Sequence, residues 1–228
     1  MNLVWSVGLG LLAAWAQEPP ATEPGEAPPA AEATTSYTLT PSGSFLAVVV
    51  YKDATTFLSG KAHDHALVAS SFEGQVVWGV DDVDACDVRL SFPVSALVVD
   101  PAGARNRVGI DPEDTVGESG QRQLKENAMG ASQLWAEKHP RIAFQSTGCR
   151  ARGAGVVVEG NLTIRGASKK VTVSMDVEAS PDRFHAKGSF ELTHSDFGFT
   201  PYSALGGMIA NDQRLGFVVD VVGVPQAL

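Results

Sequence analysis

The amino-acid sequence predicts an all-β domain, an eight-stranded antiparallel up-and-down barrel with a short helical insert. From residue 37 onward the dominant hydrophobic period is two, which is typical of strands that bury one face. About eight segments carry this alternation and are joined mostly by short turns. Eight antiparallel strands can close into a barrel around one small or slender ligand, and closure removes exposed sheet edges.

The clearest strand pair is a hairpin over residues 156–177. Apolar residues occupy alternate positions in both halves, polar residues lie between them, and the turn RGASKK joins the halves. This pattern indicates a sheet with one buried and one solvated face. The same alternation recurs at residues 44–52, 70–80, 86–100, 140–147, 183–198 and 213–224.

Residues 118–138 break the strand pattern and predict the helical insert. Apolar residues lie among charged ones at roughly helical spacing, with Ser119 available as a cap and Pro140 as a stop. We expect one or two short helices, which either plug one mouth of the barrel or simply cover the core as a surface helix. The apolar positions are Leu124, Ala128, Leu134 and Trp135.

The first 36 residues differ in composition from the rest. Residues 1–16 are uncharged and apolar and end in Ala14-Trp15-Ala16, which predicts a secretory signal peptide and a periplasmic or secreted protein. That run is shorter than the ~20 residues of a membrane span. Residues 17–36 are rich in Pro, Ala and Glu and predict a disordered spacer. Residues 37–228 remain for the barrel domain.

The charge of the predicted domain is mildly acidic. Four of the 26 acidic residues (Glu18, Glu23, Glu26 and Glu32) lie in the spacer, which leaves 22 acids against 17 bases, or −5. A nucleic-acid-binding protein needs a basic face, so this balance argues against such a partner. It also disfavours adhesion to anionic lipid, and we expect no stable membrane insertion.

Two cysteines, Cys86 and Cys149, predict one disulfide in an exported chain. The alternative is two separate buried thiols. If residues 88–92 and 142–144 share the inward face of neighbouring antiparallel strands, opposed residue numbers must sum to an even number, whereas 86 and 149 give an odd sum. Either Gly148 forms a bulge that shifts the parity, or the bridge is diagonal near the strand ends.

Residues 63–65 read His-Asp-His in a chain with five histidines. On an extended segment, His63 and His65 point to the same side and Asp64 to the other. Two ligands make an incomplete metal site, so contact with a ligand head group and a plain surface role stay open beside metal binding. The chain has no G-x-S-x-G, H-E-x-x-H or phosphate-loop motif, and we predict neither an enzyme nor a cofactor.

Four blocks in order resemble the YceI-like family: LSFPVSALVVD, RQLKENAMGASQLWAEKHPRIAFQST, VEGNLTIRGASKKVTVSM and HSDFGFTPYSALGGMIANDQRLGFVVDV. The resemblance spans residues 37–224. An Arg-Asp pair of the family's insert is replaced here by the neighbourhood of Arg122 and Lys125, so no role is carried over to it. The resemblance implies a lipocalin-like exported barrel whose apolar tunnel holds an isoprenoid chain, for instance a polyprenyl or quinone tail.

The inward parity predicts which residues line that tunnel, although any single one of them more often packs an ordinary core. The loop at residues 196–209 combines aromatics with glycines, which suits a mouth that closes on a ligand or a plain hairpin connection. Tyr202 could bind a head group, and His63 and His65 could contact it. The predicted lining is Val88, Leu90, Phe92, Ile142, Phe144, Leu162, Ile164, Val173, Met175, Phe190 and Leu192, with Phe197, Phe199, Tyr202 and Met208 at the mouth.

The function predicted first is therefore an exported, non-enzymatic protein that carries or sequesters an isoprenoid or other long-chain lipid. The alternative is a periplasmic metal-binding or redox-linked protein that uses His63 and His65. A third hypothesis is a stress-associated barrel that binds nothing tightly. The oligomeric state stays open, a homodimer included.

Overall fold

The structure is a computed structural model that describes Met1, residues 34–79 and residues 83–226. Apart from Met1, the predicted signal peptide and most of the predicted spacer lie outside the described residues. The described residues from 34 onward belong to one compact unit. Its strands are β1 (Thr34–Lys52), β2 (His65–Ala69), β3 (Glu73–Gly79), β4 (Asp87–Pro93), β5 (Leu97–Val99), β6 (Arg141–Arg152), β7 (Gly155–Ile164), β8 (Ala167–Ser180), β9 (Arg183–Thr193), β10 (Ser203–Ala204) and β11 (Ile209–Pro225), and its α-helices are α1 (Ala104–Val108) and α2 (Glu118–Met129).

The predicted antiparallel barrel is confirmed. Within the described residues, eight strands follow one another around it in the order β1, β3, β4, β6, β7, β8, β9 and β11, and β11 pairs back with β1 to close it. The remaining strands extend this ring: β2 continues beside the second half of β1, β5 pairs with β2, and the short β10 pairs with β11. The segment at 86–100, predicted as one strand, is divided into β4 and β5 by a single helical turn.

The first barrel strand is longer than predicted and bent. Thr34 pairs with Gly79 and Tyr37 with Val76, so strand pairing includes the last three residues assigned to the spacer. The register with β11 shifts between Thr40 and Phe45, where Gly43 takes a left-handed φ of 82°. On the side away from β11, the first half of β1 pairs with β3 and the second half pairs with β2.

The alternation of side chains decides which residues enter the barrel. On β8, Val171, Val173 and Met175 are buried in the main core, whereas Thr172 and Ser174 are exposed. Burying each such apolar side chain is worth about 1.5–3 kcal/mol, which sets the register of the hairpin. This hairpin therefore forms as its sequence pattern predicts.

The unbroken apolar run of β1 has a different cause. Its inward residues face the barrel, and its outward residues form a second, smaller cluster under α1 and the residues that follow it. Ala104 of α1 and Ile110 pack there against Phe45, Ala47 and Val49. Both faces of the second half of β1 are buried, so α1, which the sequence pattern did not predict, explains why the run does not alternate.

The helical insert forms, with one correction. The residue before α2 is Gly117, and Ser119, the predicted cap, lies inside the helix. Leu124 and Ala128 of α2, with Leu134 beyond it, line a cavity of the barrel interior. The insert thus closes one mouth of the barrel and is more than a surface cover.

The predicted disulfide between Cys86 and Cys149 is present, with 5.9 Å between the Cα atoms. On β6 the pairing with β7 shifts between Ser146 and Gly148, so this strand carries one extra residue there. The bulge moves the residues after it to the opposite parity and places Cys149 in the buried core. The parity argument is therefore resolved by a bulge, with Thr147, next to Gly148, as the extra residue. Closing a 63-residue loop is worth about 2–4 kcal/mol.

Candidate functional site

The interior of the described barrel contains two cavities. The helix-side cavity has a volume of about 100 Å³ and is lined by residues of α2 and by the end of the barrel that α2 covers. The distal cavity has a volume of about 120 Å³ and is lined by strand residues alone.

The two cavities follow one another along the barrel axis. On β11, Leu215 and Phe217 line the helix-side cavity, and Val219 and Val221, further along the same face, line the distal one. On β1, Val48 lines the helix-side cavity and Leu46 lines the distal one. The interior is thus a divided tunnel rather than one chamber.

An aromatic pair stands where the cavities meet. Phe190 of β9 lies directly opposite Phe217 of β11, and their rings are stacked at 4.8 Å between centroids and 5° between planes. Phe217 faces the helix-side cavity and Phe190 the distal one. This stack is part of the boundary between the two cavities.

Polarity differs between the cavities. The lining of the distal cavity is aliphatic and aromatic. The helix-side cavity includes polar side chains at the end nearest α2 and the loop after β9, namely His65, Asn127, Gln133, His194, Tyr202 and Asn211. The tunnel therefore has one wholly apolar end and one end able to form hydrogen bonds.

His65 is the best anchored of these groups. Its Nδ1 lies 2.7 Å from Asp100 Oδ2, and the backbone N–H of Ala66 donates to Asp100 Oδ1 over 2.8 Å. Burial alone would raise the pKa of Asp100, but the hydrogen bonds from His65 and Ala66 and the nearby charge of Arg105 hold it below its ordinary value. Asp100 is therefore an ionised acceptor, and His65 donates to it from Nδ1.

Arg105 of α1 also contacts the carboxylate of Asp100. Its Nη1 lies 3.3 Å from Asp100 Oδ2 and donates to the backbone carbonyl of Asp64 over 2.6 Å, while Nε donates to the carbonyl of Asp111. Among the described residues, Arg105 Nη2 is the one buried side-chain polar atom without a hydrogen-bond partner. The guanidinium joins α1 to the segment that carries His65.

His63 belongs to a different pair. Its Nδ1 lies 2.5 Å from Asp114 Oδ1, and Lys52 Nζ lies 3.2 Å from the other oxygen of that carboxylate. The rings of His63 and His65 are 6.1 Å apart and engage separate carboxylates. No group of three or more potential metal ligands occurs in the described part of the chain. The geometry offers no support for the metal-binding alternative.

The predicted site residues fall into three groups. Ile164, Phe199, Tyr202 and His65 line the helix-side cavity, and Phe144, Met175 and Phe190 line the distal cavity. Phe92, Leu162 and Phe197 are buried in the core but line neither. His63 and the exposed Met208 also line neither.

Of the wider predicted lining, Ile142 faces the helix-side cavity. Three residues face the distal cavity, namely Val88, Leu90 and Val173, and Leu192 packs beside the core.

Four polar residues of the site, Asn127, Gln133, His194 and Asn211, were not singled out from the sequence, and two of them are deeply buried. His194 continues the inward parity of Phe190 and Leu192, so the strand pattern carried a signal for it. It is 2% exposed, its Nδ1 lies 3.0 Å from the carbonyl oxygen of Gln213, and burial lowers its pKa. Gln133 lies in the irregular turns after α2, where no periodic signal marks it.

Comparisons with known proteins agree with this architecture. A model of the YceI-like domain matches residues 37–221. The crystal structure of Burkholderia cenocepacia BcnA is similar, with a TM-score of 0.57, 16% identity, and coverage of 81% of this chain and 98% of that chain. A Campylobacter jejuni YCEI protein gives a TM-score of 0.49 and 11% identity over 69% of this chain and 82% of that chain. No curated protein matches the chain.

Proposed function

This chain belongs to the YceI-like domain family, and from that premise we propose that it is a non-enzymatic carrier or sequestering protein for an isoprenoid lipid. The chain of the lipid lies along the tunnel, and its head group lies in the helix-side cavity. The ligand is a polyprenyl or quinone-like molecule, taken up whole and released unchanged.

The observation that carries this proposal is the pair of successive cavities with unequal polarity. An amphipathic molecule matches it, because the wholly apolar distal cavity suits a hydrocarbon tail and the polar end of the helix-side cavity suits a head group. Each methylene equivalent of the tail that leaves water contributes about 0.8 kcal/mol before ordering costs. A slender chain can therefore be held without ionic contacts.

Export is part of the proposal. The disulfide between Cys86 and Cys149 supports a periplasmic or secreted location, since such bonds persist in oxidising compartments. In the described part of the chain, no helix is long and apolar enough to cross a membrane. Expression of the full chain in an exporting host, followed by intact mass measurement, should give a product that begins at Gln17. A mature product that keeps residues 1–16 would contradict this.

Lipid extraction tests the carrier function. Protein purified gently from an exporting host is extracted with organic solvent, and the extract is analysed by mass spectrometry for isoprenoids. Ala186→Phe fills the distal cavity, and Lys187→Phe places the same side chain on the exposed face one residue away. The first variant should lose most of the lipid and the second should keep it. A lipid-free extract of the unmodified protein would overturn the proposal.

A further inference from the structure

His194 presents a hydrogen-bond acceptor to the helix-side cavity. Its Nδ1 faces the backbone carbonyl of Gln213, which can only accept, so Nδ1 carries the proton. Burial lowers the pKa of His194 and favours the neutral ring. In a neutral imidazole with the proton on Nδ1, Nε2 keeps a lone pair and accepts.

Gln133 presents a second acceptor. Its Nε2 lies 3.2 Å from the carbonyl oxygens of both Ser132 and Thr200, and two carbonyl partners require the NH₂ group at that position. The orientation of the amide is therefore fixed by chemistry, and Oε1 is left as the free end. The side chain is 8% exposed and lines the helix-side cavity.

His65 also lines this cavity and is 6% exposed, and its Nδ1 donates to the ionised Asp100. Arg105 Nη2 is the one fully enclosed polar side-chain atom without a hydrogen-bond partner in the described ranges. The acceptor atoms of His194 and Gln133 are therefore not sealed off by protein atoms and have room to meet a ligand.

Two of the most buried polar side chains of this cavity, His194 and Gln133, thus offer lone pairs. Asn127, Tyr202 and Asn211 are half-buried, so water can satisfy them, and Asn127 Oδ1 already accepts from Gln123 Nε2. A ligand group that displaces water from the buried acceptors has to donate hydrogen bonds in return. A head group with acceptors alone would leave the buried acceptors without a hydrogen bond, and each unpaired acceptor would cost about 1–3 kcal/mol of binding free energy.

We propose that the helix-side cavity selects isoprenoids whose head group bears a hydroxyl, an alcohol or a phenol, and discriminates against ether, oxidised quinone and phosphate head groups. This inference rests on the proposed carrier function and adds the chemical class of the head group. His194 and Gln133 determine the specificity by accepting hydrogen bonds from the hydroxyl, and the isoprenoid chain contributes affinity without selecting between head groups.

Matched ligand pairs test the selection on the delipidated full chain. Geranylgeraniol is compared with geranylgeranyl methyl ether, and a geranylgeranylated phenol with its O-methyl ether, by displacement of a fluorescent apolar probe. We expect the hydroxyl compound of at least one pair to bind roughly 10- to 100-fold more tightly, and the pair with the larger ratio identifies the alcohol or the phenol. Equal affinities within both pairs would overturn the selection while the carrier function stands. Failure of all four compounds to bind would overturn both.

Variants test the residue assignment. His194→Phe keeps the ring shape but removes the acceptor, so affinity for the hydroxyl compound should fall to that of its ether while ether affinity stays constant. His185→Phe is the control, because His185 lies outside both cavities. If His194→Phe does not fold, Gln133→Met gives the same readout with an unbranched apolar side chain. Folded variants that keep the full preference for the hydroxyl would overturn the assignment.

Discussion

Phe190 and Phe217, opposed on β9 and β11, stack 4.8 Å apart at the boundary between the two cavities of the barrel. Phe190→Ala should widen this boundary and raise the affinity for long isoprenoid alcohols relative to short ones. Truncating a fully buried Phe to Ala costs about 3–5 kcal/mol. The unfolding free energy should fall by no more than that here, because Phe190 is half-buried. Urea unfolding measures the change in stability. Probe displacement with isoprenoid alcohols of about three and about six isoprene units, roughly 15 and 30 carbons, measures the chain-length preference.

The control for this prediction is Phe45→Ala. Phe45 is buried on the outer face of β1, away from both cavities, so it should lower stability without changing the chain-length preference. An unchanged preference in Phe190→Ala would show that the stack does not limit entry to the distal cavity.

Gly160 lies under Phe144, and a Cβ at this position would lie 2.6 Å from the backbone oxygen of Gln145 as well as against the Phe144 ring. Gly160→Ala should therefore lower the unfolding free energy by about 1–3 kcal/mol, because the backbone cannot move aside as a flexible side chain would. Gly148→Ala, with no atom within 4 Å of the new Cβ, should cost far less. Comparable losses in urea unfolding would contradict the packing described.

The disulfide should stabilise the barrel measurably. Replacing Cys86 and Cys149 together with serine should lower the unfolding free energy by about 2–4 kcal/mol, because the unfolded chain regains the freedom of a 63-residue loop. Urea unfolding of the unmodified protein with a reductant should give a similar loss. If reduction and substitution both leave the midpoint unchanged, the bond does not contribute in solution.

Asp100→Asn should destabilise the protein by about 3–5 kcal/mol, because it removes the carboxylate that partners the buried His65 and Arg105. The folded-state pKa of Asp100 is lower than its ordinary value of 3.8, so its contribution is present above that pH and is lost as pH falls further. Urea unfolding between pH 3 and 7 measures both effects. Asp114→Asn, which affects the half-exposed pair with His63, should cost about 0–1 kcal/mol.

His194 should confer a second pH dependence. Burial lowers its pKa below the ordinary 6.5, so the unfolded chain binds a proton more readily than the folded protein does. The contribution of the neutral ring is present above about pH 6.5 and is lost as pH falls below it. In urea unfolding from pH 8 to 5, His194→Phe should show a shallower loss of stability than the unmodified protein. Parallel curves would contradict a buried neutral His194.

Much of the barrel can be predicted from the sequence, because inward and outward residues of a strand alternate and water drives the apolar set inside. The β7–β8 hairpin follows from that rule. The sequence pattern left open whether the insert plugs the barrel and whether a bulge or a diagonal bridge serves Cys149, because both depend on how distant segments pack. The rule fails on β1, where α1 covers the outer face and removes the alternation.

The sequence by itself determined the barrel, its disulfide partners and the apolar character of its interior, since each depends on neighbouring residues or on a strand's own parity. Only the tertiary structure decided the polar end of the tunnel. His65 comes from β2, Gln133 from the turns after α2 and His194 from the helical turn that follows β9. Their meeting depends on barrel closure and on how the insert folds over the mouth. The hydrogen-bonding roles of these side chains depend on partners distant in the sequence, such as Asp100, Thr200 and Gln213, which no local pattern reveals.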